Sequence, residues 1–170
     1  EWLPPEMLPA TEDMTSGSTG VPLRFQRTKL SRIASSALLG RAIDWHDQGA
    51  IGTVAAVRSV PPGLTAPETS GSVTIPLHLP AQDQLVLLEK AAPTHLVTYP
   101  NQLLAWLDFD TRRAFRNLRL AVLTGEMITP ETRARLARAL PIKLIEAYAT
   151  SEVGAIAFEG REGGTLLICE

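Results

Sequence analysis

Short apolar runs alternate along the chain with segments rich in proline, glycine and hydroxyl side chains. Over residues 29–48 the apolar positions largely follow helical spacing, which predicts a helix with Thr28 as its N-cap and Gly49 at its C-terminal end. Residues 51–60 form a near-continuous run of β-branched and small apolar side chains, which is typical of a strand buried on both faces of a sheet. A loop rich in proline and glycine is predicted at residues 61–71.

Beyond that loop, predicted strands and helices alternate. Strands are predicted at residues 72–77, 95–99, 118–124 and 142–146, and helices at residues 82–92, from Pro100, and from the pair Thr129 and Pro130. Two further strands at residues 155–159 and 165–169 have hairpin spacing, and another is predicted at residues 21–26. This alternation predicts an α/β fold with a mostly parallel sheet and helices on both of its faces.

The length and the two ends of the chain bear on its domain organisation. With 170 residues, the chain corresponds to a single α/β domain over residues 1–170. Pro4, Pro5 and Pro9 predict an irregular lead-in at residues 1–14. The sequence begins without Met and ends on an apolar, strand-like run, so we expect a fragment of a larger protein.

Composition narrows the class of protein. Hydrophobic residues make up 45% of the sequence and the net charge is -2, which favours a folded core and argues against nucleic acid as a partner. The longest apolar runs fall short of the roughly 20 residues that a membrane span requires. The single cysteine, Cys169, excludes an internal disulfide and suits a reducing compartment. We therefore expect a cytoplasmic protein that is not associated with a membrane.

The first candidate site is a loop of small residues with hydroxyl groups and two glycines. It consists of Thr15, Ser16, Gly17, Ser18, Thr19 and Gly20. Glycines let backbone N–H groups approach an anion closely, and hydroxyls donate hydrogen bonds to phosphate oxygens. The common P-loop is excluded because Val21 and Pro22 stand where that motif requires Lys and then Ser or Thr. On composition alone, a flexible linker is the more common structure for such a segment.

A second candidate site lies at residues 146–152, directly after a predicted strand. Its side chains include Tyr148, which can stack on a base, and Glu152, which can ligate Mg²⁺ through oxygen. In a parallel sheet, ligands bind at the carboxyl ends of the strands. The alternative interpretation is a solvated loop with a half-buried tyrosine.

A third segment, Leu-Thr-Gly-Glu-Met at residues 123–127, also follows a predicted strand. Taken alone, it is most simply an ordinary strand-to-helix connection.

Histidines and arginines outside these segments are interpreted as structural. His46, His78 and His95 lack the spacing of metal ligands and are predicted to lie at the surface or at strand ends. The arginines of the helix that begins at Pro130 avoid its leucine stripe, which predicts a solvated helix face. These arginines are Arg133, Arg135 and Arg138.

In their order and spacing, the three segments resemble the adenylate-forming acyl-CoA synthetases, and the closest branch is the phenylacetate-CoA ligase type. The matching stretches are residues 15–23, 118–126 and 148–154, and the resemblance extends to residues 97–103. It implies a reaction that uses ATP, Mg²⁺ and CoA. A small carboxylic acid attacks the α-phosphorus of ATP and releases pyrophosphate, and the CoA thiol then displaces AMP from the acyl-adenylate.

The resemblance implies a set of adenine contacts. Gly125, Glu126 and Met127 would lie against one face of adenine. Tyr148 would lie against the other face, and Glu146 would accept a hydrogen bond from the amino group of the base.

The resemblance also implies contacts to phosphate, metal and acid. Thr15, Ser16, Gly17, Ser18, Thr19 and Gly20 would hold the β- and γ-phosphates. Ser151 would contact the α-phosphate and Glu152 would ligate Mg²⁺, so these two are the implied catalytic residues. The acyl group would lie near residues 76–79, residues 99–100 and Gly125.

Departures from the family pattern leave an alternative open. Val21 replaces a common Lys, Ala149 replaces a Gly, and Ser151 replaces a Thr. The ribose-binding Asp, the hinge and the C-terminal lysine domain of the family do not occur within residues 1–170. The alternative is a non-catalytic α/β module that binds a nucleotide or a partner protein. The sequence does not indicate the acid, the final acceptor or the oligomeric state, and it is compatible with a homodimer.

Overall fold

A seven-stranded sheet forms the centre of the fold in the computed structural model, which describes residues 10–14, 24–60 and 71–169. The strands are β1 (Ala10–Met14), β2 (Arg24–Thr28), β3 (Val54–Arg58), β4 (Ser72–Pro76), β5 (His95–Thr98), β6 (Leu120–Leu123), β7 (Lys143–Thr150), β8 (Gly154–Glu159) and β9 (Leu166–Ile168). The helices are α1 (Lys29–His46), α2 (Ala81–Ala91), α3 (Pro100–Trp106) and α4 (Pro130–Ala139).

The sheet is parallel over most of its width. Its strand order is β4-β3-β5-β6-β7-β8-β9, and the neighbours from β4 to β7 are all parallel. At the other side, β7, β8 and β9 pair antiparallel. Strands β1 and β2 form a separate antiparallel ribbon. The prediction of a mostly parallel α/β sheet is confirmed.

Helices cover both faces of the sheet because its central strands are apolar on both sides. Along β6, Leu120 and Val122 pack into a cluster with α1, while Ala121 and Leu123 pack into a larger cluster with α2, α3 and α4. The side chains of a strand alternate between the two faces, so one short apolar run supplies both cores.

The helix starts follow the local signals in the sequence. The Thr28 hydroxyl accepts a hydrogen bond from the Ser31 N–H at 3.1 Å and caps α1 as predicted. The Thr129 hydroxyl accepts from the Thr132 N–H at 3.2 Å and caps α4, with Pro130 in its first turn.

A buried amide joins the carboxyl end of β4 to two helices. Gln84 is completely buried, and its Nε2 donates to the carbonyls of Pro76 at 3.0 Å and Leu77 at 3.2 Å. Its Oε1 accepts from Trp106 Nε1 and from Gln102 Nε2, both at 2.8 Å. Because the buried amide is fully hydrogen-bonded, it fixes this strand end without the cost of an unpaired polar group.

Two predictions about local structure are wrong. Residues 10–14 are not part of an irregular lead-in but form β1, because they pair with β2, and that pairing is not visible in the local sequence. Residues 147–150 do not form a loop but continue β7, because β8 folds back and pairs with them. Residues 1–9, 15–23 and 61–70, which include the predicted loops at 15–20 and 61–70, lie outside the described residues.

Among the helices that the structure describes, none has the length and the apolar character needed to cross a bilayer.

Candidate functional site

The segments that follow β5 and β6 meet the extended end of β7 at the carboxyl edge of the parallel sheet. Thr98 of β5 pairs with Leu123 of β6, and Leu123 pairs in turn with Glu146 of β7. The segments that follow β5 and β6 therefore emerge side by side, next to the half of β7 that extends beyond this edge. This is the edge at which ligands bind in open parallel sheets.

Gly125 lies directly against an aromatic ring at this edge. Its φ is +78°, and a Cβ placed on it would lie 2.5 Å from Cε1 of Tyr99. A side chain here would strain the backbone and also collide with the ring. The glycine therefore lets the segment after β6 approach Tyr99 closely.

The side chains after Gly125 point outward. Met127 is 92% exposed, and Glu126 is exposed with its Oε2 accepting the Asn101 N–H at 3.1 Å, in the first turn of α3. Burial and the nearby negative charge of Glu126 raise the pKa of Tyr99. The structure thus leaves the predicted adenine-facing surface open to solvent.

Glu146 and Tyr148 are two residues apart on β7 and project from the same face of the strand. Tyr148 is 54% exposed. The Glu146 carboxylate is a third exposed, and its Oε1 accepts from Arg133 Nη1 at 3.0 Å. Of the residues predicted to contact adenine, these two therefore lie on one face, beside the segment at 125–127.

Arg133 and Glu159 were not predicted as part of the site, and the interpretation of Arg133 as a solvated arginine is wrong. Arg133 Nη2 donates to both oxygens of Glu159 at 2.7 and 2.8 Å and to the carbonyl of Leu144 at 3.2 Å. Arg135 and Arg138 are exposed, as expected. A signal for Arg133 was present, because it lies three residues before the buried Leu136 and such positions share a helix face.

Glu159 is a buried carboxylate with several donors around it. It is 3% exposed, and besides Arg133 it accepts from the backbone N–H of Gly164 and of Glu146, both at 2.9 Å. Burial alone would raise the pKa of Glu159, but the hydrogen bonds from Gly164, Arg133 and Glu146 outweigh it and lower that pKa. Glu159 is therefore ionised at neutral pH.

A cavity of about 240 Å³ opens beside these charged groups. It is lined by residues 128–130, which lead into α4, by Arg133, by Glu146 and Glu159, and by residues 164–166. The cavity thus adjoins both the segment at 125–127 and Glu146, the acidic side chain predicted to contact the base.

Ser151 and Glu152 occupy the exposed turn between β7 and β8. This turn is close to α1, because a Cβ at Gly154 would lie 2.6 Å from the Ser35 hydroxyl, which also accepts from Arg27 of β2 at 2.7 Å. The two implied catalytic residues are therefore near the ribbon formed by β1 and β2. The phosphate-binding residues predicted between those strands lie outside the described residues; they are Thr15, Ser16, Gly17, Ser18, Thr19 and Gly20.

Within the described ranges, no group of three or more His, Cys, Asp or Glu side chains is placed to hold a metal ion. In nucleotide sites, Mg²⁺ is held by one or two carboxylates together with phosphate oxygens. A single exposed carboxylate such as Glu152 fits that kind of donor set.

A second polar cluster lies at the opposite, amino edge of the sheet. His95 is completely buried, and its Nε2 lies 2.9 Å from Asp47 Oδ2, while Thr94 Oγ1 lies 2.8 Å from its Nδ1. Arg119 Nε donates to the same Asp47 oxygen at 2.8 Å, and its Nη2 donates to the Ala50 carbonyl at 2.7 Å. The predicted strand-end position of His95 is correct, but its burial in a charged cluster was not expected.

The other two histidines also differ in their surroundings. His46 is buried, with its Nε2 2.7 Å from the carbonyl oxygen of Glu159, so it is not a surface residue. His78 is exposed, as predicted.

Solved structures with the same fold include CoA ligases and an acyl-CoA synthetase (AMP-forming)-like protein. An acyl-CoA synthetase (AMP-forming)/AMP-acid ligase II-like protein from Dyadobacter fermentans is 21% identical with a TM-score of 0.67, over 94% of this chain and 47% of that chain. A 2-hydroxyisobutyryl-CoA ligase in complex with 2-HIB-AMP and CoA is 14% identical with a TM-score of 0.68, over 98% and 42% of the two chains. An anthranilate CoA ligase in complex with anthranoyl-AMP is 14% identical with a TM-score of 0.64, over 91% and 32%.

These likenesses show the fold of the chain. It is the fold of one part of the AMP-forming acyl-CoA synthetases, as the three sequence segments predicted. The chain spans less than half the length of these three proteins. Neither a protein-family model nor a curated protein sequence matches it.

Proposed function

We propose that this chain is the nucleotide- and acyl-binding part of an AMP-forming acid–thiol ligase. In this proposal, ATP activates a small carboxylic acid as an acyl-adenylate, and the acyl group is then transferred to CoA. The observation that carries the proposal is the meeting of Glu146, Tyr148 and residues 125–127 at the carboxyl edge of a sheet with the fold of these ligases.

Adenine recognition is the part of the proposal with the most structural support. Tyr148 offers an exposed ring for stacking, and the missing side chain of Gly125 lets the segment after β6 lie close to Tyr99 at the same edge. Glu146 on the same face supplies an acceptor for the exocyclic amino group of the base.

Phosphate activation is assigned to the exposed turn and to the glycine-rich segment of the sequence. The Ser151 hydroxyl donates a hydrogen bond to the α-phosphate, and Glu152 provides a carboxylate ligand for Mg²⁺. When bound, Mg²⁺ neutralises charge on the phosphates as pyrophosphate leaves. Hydroxyl and backbone donors at residues 15–20 stabilise the same leaving group by preorganised hydrogen bonds.

The identity of the acid and the branch of the family are the more specific parts of the proposal. Ligases with this fold are named for different acids, 2-hydroxyisobutyrate and anthranilate among them, so the fold does not select the substrate. We assign the acyl group to the space near residues 76–79, Tyr99 and Gly125, and retain the phenylacetate-CoA ligase type as the expected branch and CoA as the expected acceptor. A cytoplasmic location also stays a prediction.

Isothermal titration with ATP in the presence and absence of Mg²⁺ tests the phosphate assignment. We expect Mg²⁺ to strengthen ATP binding in the native protein, and Glu152→Gln to remove most of that effect. Asp108→Asn, an exposed carboxylate beyond the far end of α3, is the matched control and should leave the effect unchanged. An equal response to Mg²⁺ in the native protein and in Glu152→Gln would contradict the role of Glu152.

Pyrophosphate release with a panel of small acids separates the two functional candidates. The assay is made on the full-length protein that contains this chain, because the chain is proposed to be only the nucleotide- and acyl-binding part. Acid-dependent release supports the ligase, and ATP binding without release from any acid would support the non-catalytic nucleotide-binding module instead.

A further inference from the structure

We propose that Arg133 and Glu159 are positioning residues that hold the Glu146 carboxylate as an acceptor and thereby make the site select a 6-amino purine over a 6-keto purine. This inference rests on the proposed adenine role of Glu146. It assigns a role to two residues that the sequence motifs do not include.

Glu146 is held at both its carboxylate and its backbone N–H. Its Oε1 is held by Arg133 Nη1 at 3.0 Å, and its backbone N–H donates to Glu159 Oε2 at 2.9 Å. Both the main chain and the side chain of Glu146 are therefore fixed by this pair. Within the described part of the chain, Glu146 Oε2 has no hydrogen-bond partner, so it is the oxygen left for a ligand.

The donors of Arg133 are engaged by neighbouring residues. An unrestrained arginine beside a purine favours a keto oxygen and N7 as acceptors, which would select the wrong base. Here Nη2 is occupied by both oxygens of Glu159 and by the Leu144 carbonyl, and Nη1 is occupied by Glu146. Glu159 thus restrains the guanidinium in contact with Glu146 and Leu144, and Glu146 Oε2 is left as an acceptor beside it.

Glu159 is itself held in place by burial and by a glycine turn. Its carboxylate is 3% exposed and also accepts the Gly164 N–H at 2.9 Å, in a turn where Gly163 and Gly164 have φ of +79° and +73°. The turn, β7 and α4 therefore all converge on one buried carboxylate. The cavity of about 240 Å³ lined by Arg133, Glu146 and Glu159 gives the edge of a purine access to the free oxygen.

The test compares ATP with ITP, in which a keto oxygen replaces the 6-amino group. A charge-assisted hydrogen bond is worth about 1.5–3 kcal/mol, so the native protein should bind ATP about 10- to 100-fold more tightly than ITP. We expect this ratio to fall by about fivefold or more in Arg133→Lys and in Glu159→Gln, because each loosens the hold on Glu146. Arg135→Lys, an exposed arginine on the same helix, should leave the ratio unchanged.

The ratio is a suitable readout because partial unfolding lowers the apparent affinity for both nucleotides equally. Glu146→Gln serves as the reference, since its carboxamide can donate to the keto oxygen and should also reduce the ratio. If Glu146→Gln reduces the ratio while Arg133→Lys and Glu159→Gln leave it at the native value, the positioning role is wrong and the adenine role of Glu146 stands. If the native protein binds neither nucleotide, or Glu146→Gln has no effect on the ratio, the proposed adenine site fails and this inference fails with it.

Discussion

The two edges of the parallel sheet differ in how their polar groups are satisfied. At the amino edge, Asp47 Oδ2 lies 2.9 Å from His95 Nε2 and accepts from Arg119 Nε at 2.8 Å, while Arg119 Nη2 donates to the Ala50 carbonyl at 2.7 Å. At the carboxyl edge, Tyr148 and Glu152 are exposed to solvent. The hydroxyls of Thr98 and Thr124, at the ends of β5 and β6, are buried without a partner among the described residues.

From this difference we infer that the amino edge contributes to the stability of the fold and the carboxyl edge to ligand binding. A buried polar group that keeps all its partners supports the fold, whereas unpaired or exposed polar groups at strand ends are available to a ligand. Glu159 is the exception at the carboxyl edge, because it is buried and fully paired. We explain that exception by its hold on Arg133 and Glu146.

The largest expected effect on stability comes from a substitution that breaks the amino-edge cluster of Asp47, His95 and Arg119. Asp47→Ala removes charge-assisted hydrogen bonds to His95 and Arg119 and leaves a buried imidazole N–H unpaired, so the free energy of unfolding should fall by about 3 kcal/mol. ATP affinity measured where the protein remains folded should not change. Urea denaturation and calorimetry measure the two quantities.

Asp108→Ala is the control for that prediction, because Asp108 is exposed and its loss should change stability by no more than about 0.5 kcal/mol. A loss of ATP binding in folded Asp47→Ala protein would show that the two edges are not separate.

A smaller effect is expected from Gly125→Ala at the carboxyl edge. The positive φ and the contact with Tyr99 should cost about 2 kcal/mol of stability, and the displaced segment should weaken ATP binding as well. Gly40→Ala lies in α1 with nothing within 4 Å of the added Cβ, and should raise stability by about 0.5–1 kcal/mol. Equal stability of Gly125→Ala and the native protein would contradict the close packing described for this segment.

The smallest effect is a dependence of stability on pH that comes from the amino edge. Burial lowers the pKa of His95 despite the nearby Asp47, so the folded protein disfavours the imidazolium. Burial opposes ionisation of Asp47, but hydrogen bonds from His95 and Arg119 lower the pKa of Asp47 overall. Both groups bind protons more weakly in the folded state than in the unfolded state.

The free energy of unfolding should therefore be highest above the ordinary pKa of histidine, about 6.5. Below that pH it should fall as His95 is protonated, and it should fall again near pH 4 and below as Asp47 is protonated. Denaturant titrations between pH 8 and pH 4 measure the first fall. A rise in stability on acidification from pH 8 to pH 6 would contradict the burial of a neutral His95.

Local signals in the sequence predicted the elements whose formation depends on neighbouring residues. Thr28 and Thr129 cap helices as expected, and the order of strands and helices gave the parallel sheet. Strand β1 and the second half of β7 were missed, since each forms by pairing with a strand elsewhere in the chain.

The site shows the same division between local and non-local information. Glu146 and Tyr148 were predicted from their place at the end of a strand and from the family resemblance, and the structure places them on one face of β7. Arg133 and Glu159 lie 26 residues apart in sequence and contact only after α4 and β8 have packed on β7, so no motif includes them both. The spacing of Arg133 from Leu136 was the one local sign that this arginine faces the sheet.

The most direct test of the account is titration of ATP into the native protein and into Tyr148→Ala, with denaturation of both measured in parallel. Tyr148 is 54% exposed, so its removal should change stability by no more than about 0.5 kcal/mol. We predict that ATP binds the native protein and that its affinity falls about tenfold in Tyr148→Ala, as loss of a base-stacking ring entails. Equal ATP affinity in the two proteins at equal stability would contradict the assignment of the carboxyl edge as the adenine site.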